Sequence, residues 1–152
     1  MRDTAGSAAA ELRSWAAGSY ALEAAVELLC RAFDGRFASS WAPWIVPTDT
    51  GRSCWLDPDL IDSNSGVYSG GERRLLTLVQ ALASDGMWLD LGAVLPGLDR
   101  LHQALVLAAI AHASGSHEHS EWTIGEDGQS RFVRLPSLFP WPDDDLSEGV
   151  DQ

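Results

Sequence analysis

Lysine is absent from this chain of 152 residues, and all ten of its positively charged side chains are arginine. Against 22 acidic residues they leave a net charge of −12, which disfavours contact with phosphate backbones and favours a basic partner. Lysine and asparagine codons are AT-rich, and Asn64 is the only asparagine, so the composition indicates a high-GC bacterium or phage. We expect no direct binding of nucleic acid.

Cysteine is scarce as well, and long apolar runs are missing. Cys30 and Cys54 fit neither a disulfide framework nor a zinc knuckle, and we expect two free, largely buried thiols in a reducing compartment. The N-terminal segment has no apolar signal core, and no run approaches the roughly 18 apolar residues of a membrane span. These absences predict a cytoplasmic protein that makes no contact with membranes.

Helical periodicity and turn-rich spacers interleave along the chain and predict a single α+β domain. Two β-hairpins, with strands near 42–46 and 53–57 and within 120–136, are expected to build one small antiparallel sheet. The globular domain should span 1–138, and the Pro-rich, acidic tail at 139–152 is expected to fray. About four main helices are predicted, near 8–17, 20–33, 71–83 and 100–113, with a short one near 58–63.

Residues 68–72 read YSGGE and resemble the signature motif of ABC-transporter ATPases, usually written LSGGQ or LSGGE. The resemblance implies ATP binding, with Asp90 as a magnesium-site carboxylate. A phosphate cradle of the form G-x-x-x-x-G-K-[ST] needs a lysine, however, and Leu91 stands where that family has its catalytic Glu. We therefore interpret Ser69 and Glu72 as a capping box that begins a helix.

His117, His119 and Glu121 are the main candidates for chemistry. On a strand, a spacing of two places all three side chains on one face. Two imidazoles and a carboxylate on one face suit zinc or iron, which would activate a water or leave positions open for oxygen chemistry. The alternative is a solvated cluster after the helix that ends near His112, where the helix dipole favours cations. We expect His102, in the first turn of its helix, to be neutral and to face solvent.

Two acidic groups and two aromatic residues are the candidates for partner binding. Spaced carboxylates can imitate a phosphate backbone, as small acidic inhibitors from phages and mobile elements do, and aromatic side chains can anchor in a partner's groove. The alternatives are a solvated acidic surface and a tail that folds back over its own core. The candidate residues are Asp57, Asp59, Asp62, Phe139, Trp141, Asp143, Asp144 and Asp145.

The function predicted from these features is binding rather than catalysis. No Ser lies in a G-x-S-x-G motif, and neither cysteine has the basic setting that lowers a thiol pKa. We expect a small acidic protein that regulates or inhibits a protein partner with a basic surface, and a nucleic-acid mimic is the sharpest form of this hypothesis. The alternatives are a metal-dependent enzyme with a His/His/Glu site and a structural or assembly subunit.

Overall fold

Four α-helices of at least 12 residues are the main elements of the computed structural model, which describes residues 4–142. Within that range, no helix has both the length and the apolar character that crossing a bilayer demands. The helices are α1 (Thr4–Ala16), α2 (Tyr20–Arg31), α3 (Asp59–Asn64), α4 (Gly70–Ala83), α5 (Leu91–Val94) and α6 (Arg100–Ala113). Segments of 3₁₀ helix lie at Ala32–Ala38, Leu95–Gly97 and Ser116–Glu118. The four predicted main helices and the predicted short helix are all present.

Four short strands form two antiparallel hairpins, so the predicted α+β class is confirmed. The strands are β1 (Ile45–Pro47), β2 (Cys54–Leu56), β3 (Ser120–Ile124) and β4 (Ser130–Arg134). The prediction of one sheet is wrong, because β1–β2 and β3–β4 are two separate two-stranded sheets. The first hairpin packs against α1, whereas the second follows the turn after α6. Alternating residues reveal a hairpin, but they do not reveal whether two hairpins pair.

The core is centred on α2, which packs against α1, α4 and α6. Val26 and Leu29 are fully buried, as their apolar stripe predicts. Fully burying a large apolar side chain contributes roughly 1.5–3 kcal/mol. Trp44 is also fully buried, and its indole N–H donates to the Phe37 carbonyl oxygen at 2.9 Å. This buried hydrogen bond therefore fixes the segment between α2 and β1 against the core.

The chain leaves α2 through three consecutive residues in the left-handed region. Phe33, Asp34 and Gly35 have φ values of 49°, 56° and 73°. A Cβ on Gly35 would lie 2.8 Å from the Cys30 carbonyl oxygen, so glycine is required there. The helix itself ends at Arg31, two residues earlier than its apolar pattern predicts.

Side-chain caps begin four of the helices: Asp90 caps the short α5, where its Oδ1 accepts from the Ala93 N–H at 3.2 Å, and three further caps begin longer helices. Ser19, Ser69 and Asp99 each accept a hydrogen bond from the backbone N–H three residues further on, at 3.4, 3.4 and 2.9 Å. Only half of the predicted capping box is formed, because the Glu72 carboxylate pairs with Arg36 at 2.6 Å rather than with the Ser69 backbone. The motif that resembles an ATPase signature thus has a local role as a helix start.

Candidate functional site

The three predicted metal ligands do not share a strand face. His117 lies in the 3₁₀ segment Ser116–Glu118, His119 follows it, and only Glu121 belongs to β3. The strand begins only at Ser120, after a tight turn that follows α6, so strand alternation does not align the two histidines with Glu121. Within residues 4–142, no group of three His, Cys, Asp or Glu side chains is arranged to hold a metal ion. The geometry therefore gives the zinc or iron hypothesis no support.

His117 instead stacks on His112, in the last turn of α6. Gly115, with φ of 74°, turns the chain back so that the two imidazole rings lie nearly parallel, with centroids 4.1 Å apart and planes 16° apart. Tyr20 places its ring edge-on against both, 4.9 Å from His117 and 6.1 Å from His112. We call Tyr20, His112 and His117 the histidine stack. The nitrogen lone pairs of two stacked rings lie in nearly parallel planes and do not converge on one point, which does not suit a shared metal ion.

Polar atoms in and beside the histidine stack are buried without hydrogen-bond partners. They are His112 Nε2, His117 Nδ1 and the Oε2 of Glu23, which lies 3.8 Å from His112 Nε2. Burial lowers the pKa of His112, the neighbouring His117 lowers it further, and Glu23 opposes the shift. His112 is therefore neutral near pH 7 and able to donate or accept a hydrogen bond.

An ion-pair network borders the histidine stack. Glu27, on α2, accepts hydrogen bonds from Arg13 at 2.6 Å and from Arg31 at 2.7 Å. Burial alone would raise the pKa of Glu27, but the bonds from both arginines outweigh it and leave this pKa below its ordinary value. The Arg31 guanidinium also lies over the Trp141 ring, 4.9 Å from its centroid. The network thus links α1, α2 and the segment that follows β4.

Trp141 is not the exposed anchor that the sequence suggests. Its side chain is 7% exposed, and its ring lies 6.2 Å from that of His112. The Leu138 N–H donates to the buried Ser116 Oγ at 2.9 Å and ties the segment to the turn after α6. The packed chain therefore extends past the predicted boundary at residue 138, because the core offers an indole more apolar contact than solvent does. This is the fold-back alternative.

Free volume borders the histidine stack. A cavity of about 330 Å³ opens between α2, α6 and the segment after β4. Small-molecule sites begin at roughly this size, on the order of 300 Å³. A smaller cavity of about 120 Å³ is lined by Glu23, Val26 and His112 among others. Both stacked histidines line the larger cavity, together with Ala108, Ser137, Phe139, Pro140 and Trp141.

The acidic residues predicted to meet a partner lie around α3. Asp59 and Asp62 are exposed, and Asp57 is half-buried, with its Oδ1 accepting from the Asp59 N–H at 3.1 Å. Phe139 is 51% exposed, so its ring remains accessible at the edge of the larger cavity. The second acidic group, at 143–145, lies outside the described residues. Among the members of the predicted contact set that the structure describes, Asp59, Asp62 and Phe139 are thus the accessible ones.

The second hairpin carries an aromatic patch that sequence analysis missed. Trp122, Ile124 and Phe132 are 70%, 77% and 63% exposed and share one face of the hairpin. Trp122 and Phe132 lie opposite each other, with ring centroids 5.1 Å apart. The strands pair mainly with each other, and we call Ser120–Arg134 the β3–β4 arm. The alternation of Trp122 and Ile124 was visible in the sequence, but it fits an inward-facing strand equally well.

His102 corrects a further expectation, because it does not face solvent. Its side chain is 8% exposed and stacks on Phe33, with ring centroids 4.1 Å apart. Its Nδ1 lies 2.7 Å from Asp99 Oδ1. The left-handed turn after α2 delivers Phe33 to this position, a contact that no local pattern around His102 could have indicated.

Both cysteines are free, as predicted. Burial raises the pKa of Cys30 to about 11, and burial followed by a hydrogen bond with Glu11 raises that of Cys54 to about 11. Thiolates are therefore scarce at neutral pH, which disfavours a cysteine nucleophile.

No protein-family model, curated protein or solved structure matches this chain.

Proposed function

We propose that this chain acts by binding another protein and that the β3–β4 arm supplies the contact. The observation that supports the proposal is the exposure of Trp122, Ile124 and Phe132 on one face of a two-stranded sheet. Aromatic side chains are the commonest anchors of protein interfaces. An isolated two-stranded hairpin is also only marginally stable in water, so a partner packed against the apolar face would complete it.

The charges on the arm indicate the chemistry of the partner. Glu126 and Asp127 lie in the turn between the strands. Arg131 pairs with Asp127 of the arm at 2.6 Å, and Arg134 pairs with Glu118, just before the arm, so both arginines of the arm are engaged by acids of this chain. With a chain net charge of −12, this pattern favours a partner whose apolar surface is rimmed by basic side chains.

The acidic residues around α3 are proposed to add long-range attraction to the same partner. In the sharper form of the hypothesis, Asp57, Asp59 and Asp62 imitate phosphates and enter a groove built for nucleic acid. That form predicts that reversing the charge at these three positions abolishes binding. If the arm alone makes the contact, the reversal slows association and leaves the complex intact, because peripheral charges act mainly on the association rate.

A comparison of four baits in extracts of the source cell tests the role of the arm. The baits are the native chain, Trp122→Ser, Phe132→Ser and the control Trp88→Ser, whose indole is 97% exposed outside the arm. We expect one protein to be retained by the native and Trp88→Ser chains, to be lost from both arm variants, and to dissociate as salt rises. Equal retention by all four baits contradicts the proposal.

A photoreactive amino acid at position 122 separates the proposed binding from self-assembly. A crosslink from the photoreactive residue at position 122 to the captured protein supports the proposal. A crosslink to a second copy of this chain, together with an oligomer in light scattering that survives dilution, favours the assembly-subunit alternative instead. Both outcomes require an exposed arm, so the crosslink identifies whether a partner protein or a second copy of this chain binds it.

A further inference from the structure

We propose that two copies of this chain associate through the outward side of α6, which packs antiparallel against α6 of the second copy. The surface consists of Leu95, Pro96, Gln103, Leu107 and Ile110, and we call it the α6 face. None of these residues belongs to the β3–β4 arm, so the proposal does not depend on the protein partner proposed for that arm.

The first argument is that α6 is apolar on all sides over about two turns. Residues 104–111 read ALVLAAIA and contain no polar side chain. Leu105 and Val106 are buried in the core, whereas Leu107 and Ile110 are each 45% exposed. A helix that is apolar all round is normally buried on every side. The core covers only one side of α6, so the other side calls for a partner.

The second argument is a groove beside the exposed side chains. It has a volume of about 380 Å³ and lies between α6 and the 3₁₀ segment Leu95–Gly97. Gln103 is the polar residue of its lining, and its Nε2 donates to the Leu98 carbonyl oxygen at 3.0 Å, so this amide is already engaged within the chain. A two-fold interface requires one patch that presents both a ridge and the groove that receives it. The α6 face meets this requirement, because Leu107 and Ile110 line the groove and remain exposed.

The spacing of residues along α6 fits a pair of antiparallel helices. Intervals of three and four residues alternate along its outward side, as they do in the seam of a coiled coil, through Arg100, Gln103, Leu107, Ile110 and Ser114. In an antiparallel pair, Leu107 of each copy meets Ile110 of the other, and Gln103 lies near Ser114. Arg100 then lies at the C-terminal end of the second copy's α6, where the helix dipole stabilises a cation.

The charge pattern favours a second copy over a basic protein. Residues 100–117 are the longest stretch of the sequence without an acidic residue, although the chain carries 22 acids. A partner with a basic rim gains little from a face that has no carboxylates. A second copy presents the same face, so no acid has to be buried when the two faces meet. Acids elsewhere on the two chains still repel each other, so salt should strengthen the association.

Sedimentation velocity of the full chain at increasing concentration tests the proposal. Stable dimers bury about 800 Å² on each chain, and a patch of a few residues supports only a dimer that dissociates on dilution. Between about 1 µM and about 300 µM, we expect the average mass to rise from one chain toward two, with a dissociation constant that decreases as sodium chloride is added. A chain that remains monomeric over this range, or a dimer that weakens as salt rises, overturns the proposal.

Matched substitutions on α6 locate the contact. Leu107→Glu places an acid in the seam against Ile110 of the second copy, and we expect the dissociation constant to increase at least about tenfold. Leu101→Glu makes the same change at a leucine that is 59% exposed and lies about 120° around the helix from Leu107, and it should dimerise as the native chain does. If Leu107→Glu does not fold, Ile110→Asn should show the loss. A dimer that is equally strong in the native chain and in the folded seam variant overturns the proposal.

Disulfide formation under mild oxidation tests the antiparallel arrangement. An equimolar mixture of Gln103→Cys and Ser114→Cys should form a crosslinked dimer, because each position faces the other across the seam. Each variant alone should crosslink much less, since like positions lie roughly 16 Å apart along the helix axis. The native chain, whose free cysteines are Cys30 and Cys54, is the control and should not crosslink. Crosslinking of each variant alone as strong as in the mixture indicates a parallel pair and overturns the arrangement.

The arm variant separates this interface from the binding proposed for the β3–β4 arm. Trp122→Ser should dimerise as the native chain does, and Leu107→Glu should still capture the protein that the arm retains. Loss of the dimer in Trp122→Ser would place self-association on the arm and overturn the proposal. Failure of partner capture, with a dimer that responds to Leu107→Glu, contradicts only the function proposed for the arm.

Discussion

At the scale of single residues, the titration of His112 has the clearest consequence for stability. Burial and the stacked His117 ring hold its pKa below the ordinary histidine value of 6.5, despite Glu23 at 3.8 Å. In the pH range between the folded and unfolded pKa values, the unfolded chain binds more protons than the folded chain. Stability from the neutral imidazole is therefore fully present above about pH 6.5 and declines as the pH falls through the folded pKa.

Urea denaturation above and below this pH range tests the predicted direction of the pH dependence. We expect the free energy of unfolding of the native chain to fall between about pH 7.5 and about pH 5.5, and the fall to be smaller in His112→Gln, which has no titrating imidazole. His119→Gln, at an exposed position, should behave like the native chain. An identical pH dependence in the native chain and His112→Gln would show that the imidazole is not desolvated.

Ser69 tests the local interpretation of the YSGGE motif. Its Oγ accepts the Glu72 N–H at the start of α4, and loss of such a cap costs about 1 kcal/mol. Ser69→Ala should therefore lower the free energy of unfolding by about this amount, measured by urea denaturation. Ser84→Ala, at the other end of the same helix, should change it by less than about 0.5 kcal/mol. An unchanged free energy of unfolding in Ser69→Ala would contradict the interpretation of the motif as a helix cap.

Helix N-caps could be predicted from single residues, whereas the surroundings of the histidines could not. The side chains of Ser19, Ser69 and Asp99 each accept a hydrogen bond from a residue only three positions away, so the local sequence is enough to predict these caps. The rings of His102 and His117 are covered by residues of a distant segment of the chain. Helix-end electrostatics predicts where a charge is favoured, but it does not predict which aromatic ring packs against an imidazole.

At the scale of elements, the two hairpins differ in how much of the fold they contact. The β1–β2 hairpin packs on α1, and its Cys54 and Leu56 belong to the core. Every residue of β4 is exposed, and β3 contributes nothing to the core. Both hairpins were predictable from turn residues and alternation. Their different environments were not, since alternation specifies two faces without specifying what each face meets.

Hydrogen–deuterium exchange of the free chain should reveal this difference. Elements with few buried contacts open locally at a lower free energy than the core. We therefore expect amides of β3 and β4 to exchange much faster than those of the buried turns of α2 and α4. Protection of the arm equal to that of α2 in a monomeric sample would contradict the view that it stands free. Protection that appears only on addition of the partner would support the proposed contact.

At the scale of the whole molecule, the net charge opposes folding while it favours association with a basic partner. A charge of −12 on a chain of this size produces self-repulsion that salt screens. Salt also weakens the attractive ion pairs of Glu27 with Arg13 and Arg31, and this effect lowers the stability of the fold as salt rises. Glu27 is largely sheltered, so its pairs are screened less than the exposed acids are. Repulsion should therefore dominate the response to salt.

Thermal unfolding at increasing sodium chloride concentration measures which contribution is larger. We expect Tm to rise with salt over the range in which partner binding weakens, because screening relieves repulsion within the chain and removes attraction between chains. In Asp59→Asn/Asp62→Asn, where the net charge changes from −12 to −10, Tm at low salt should be higher and its rise with salt smaller. Both aspartates are exposed, so these substitutions leave the core unchanged. A Tm that falls as salt increases would mean that the Glu27 ion pairs, rather than the surface acids, govern the electrostatics of the fold.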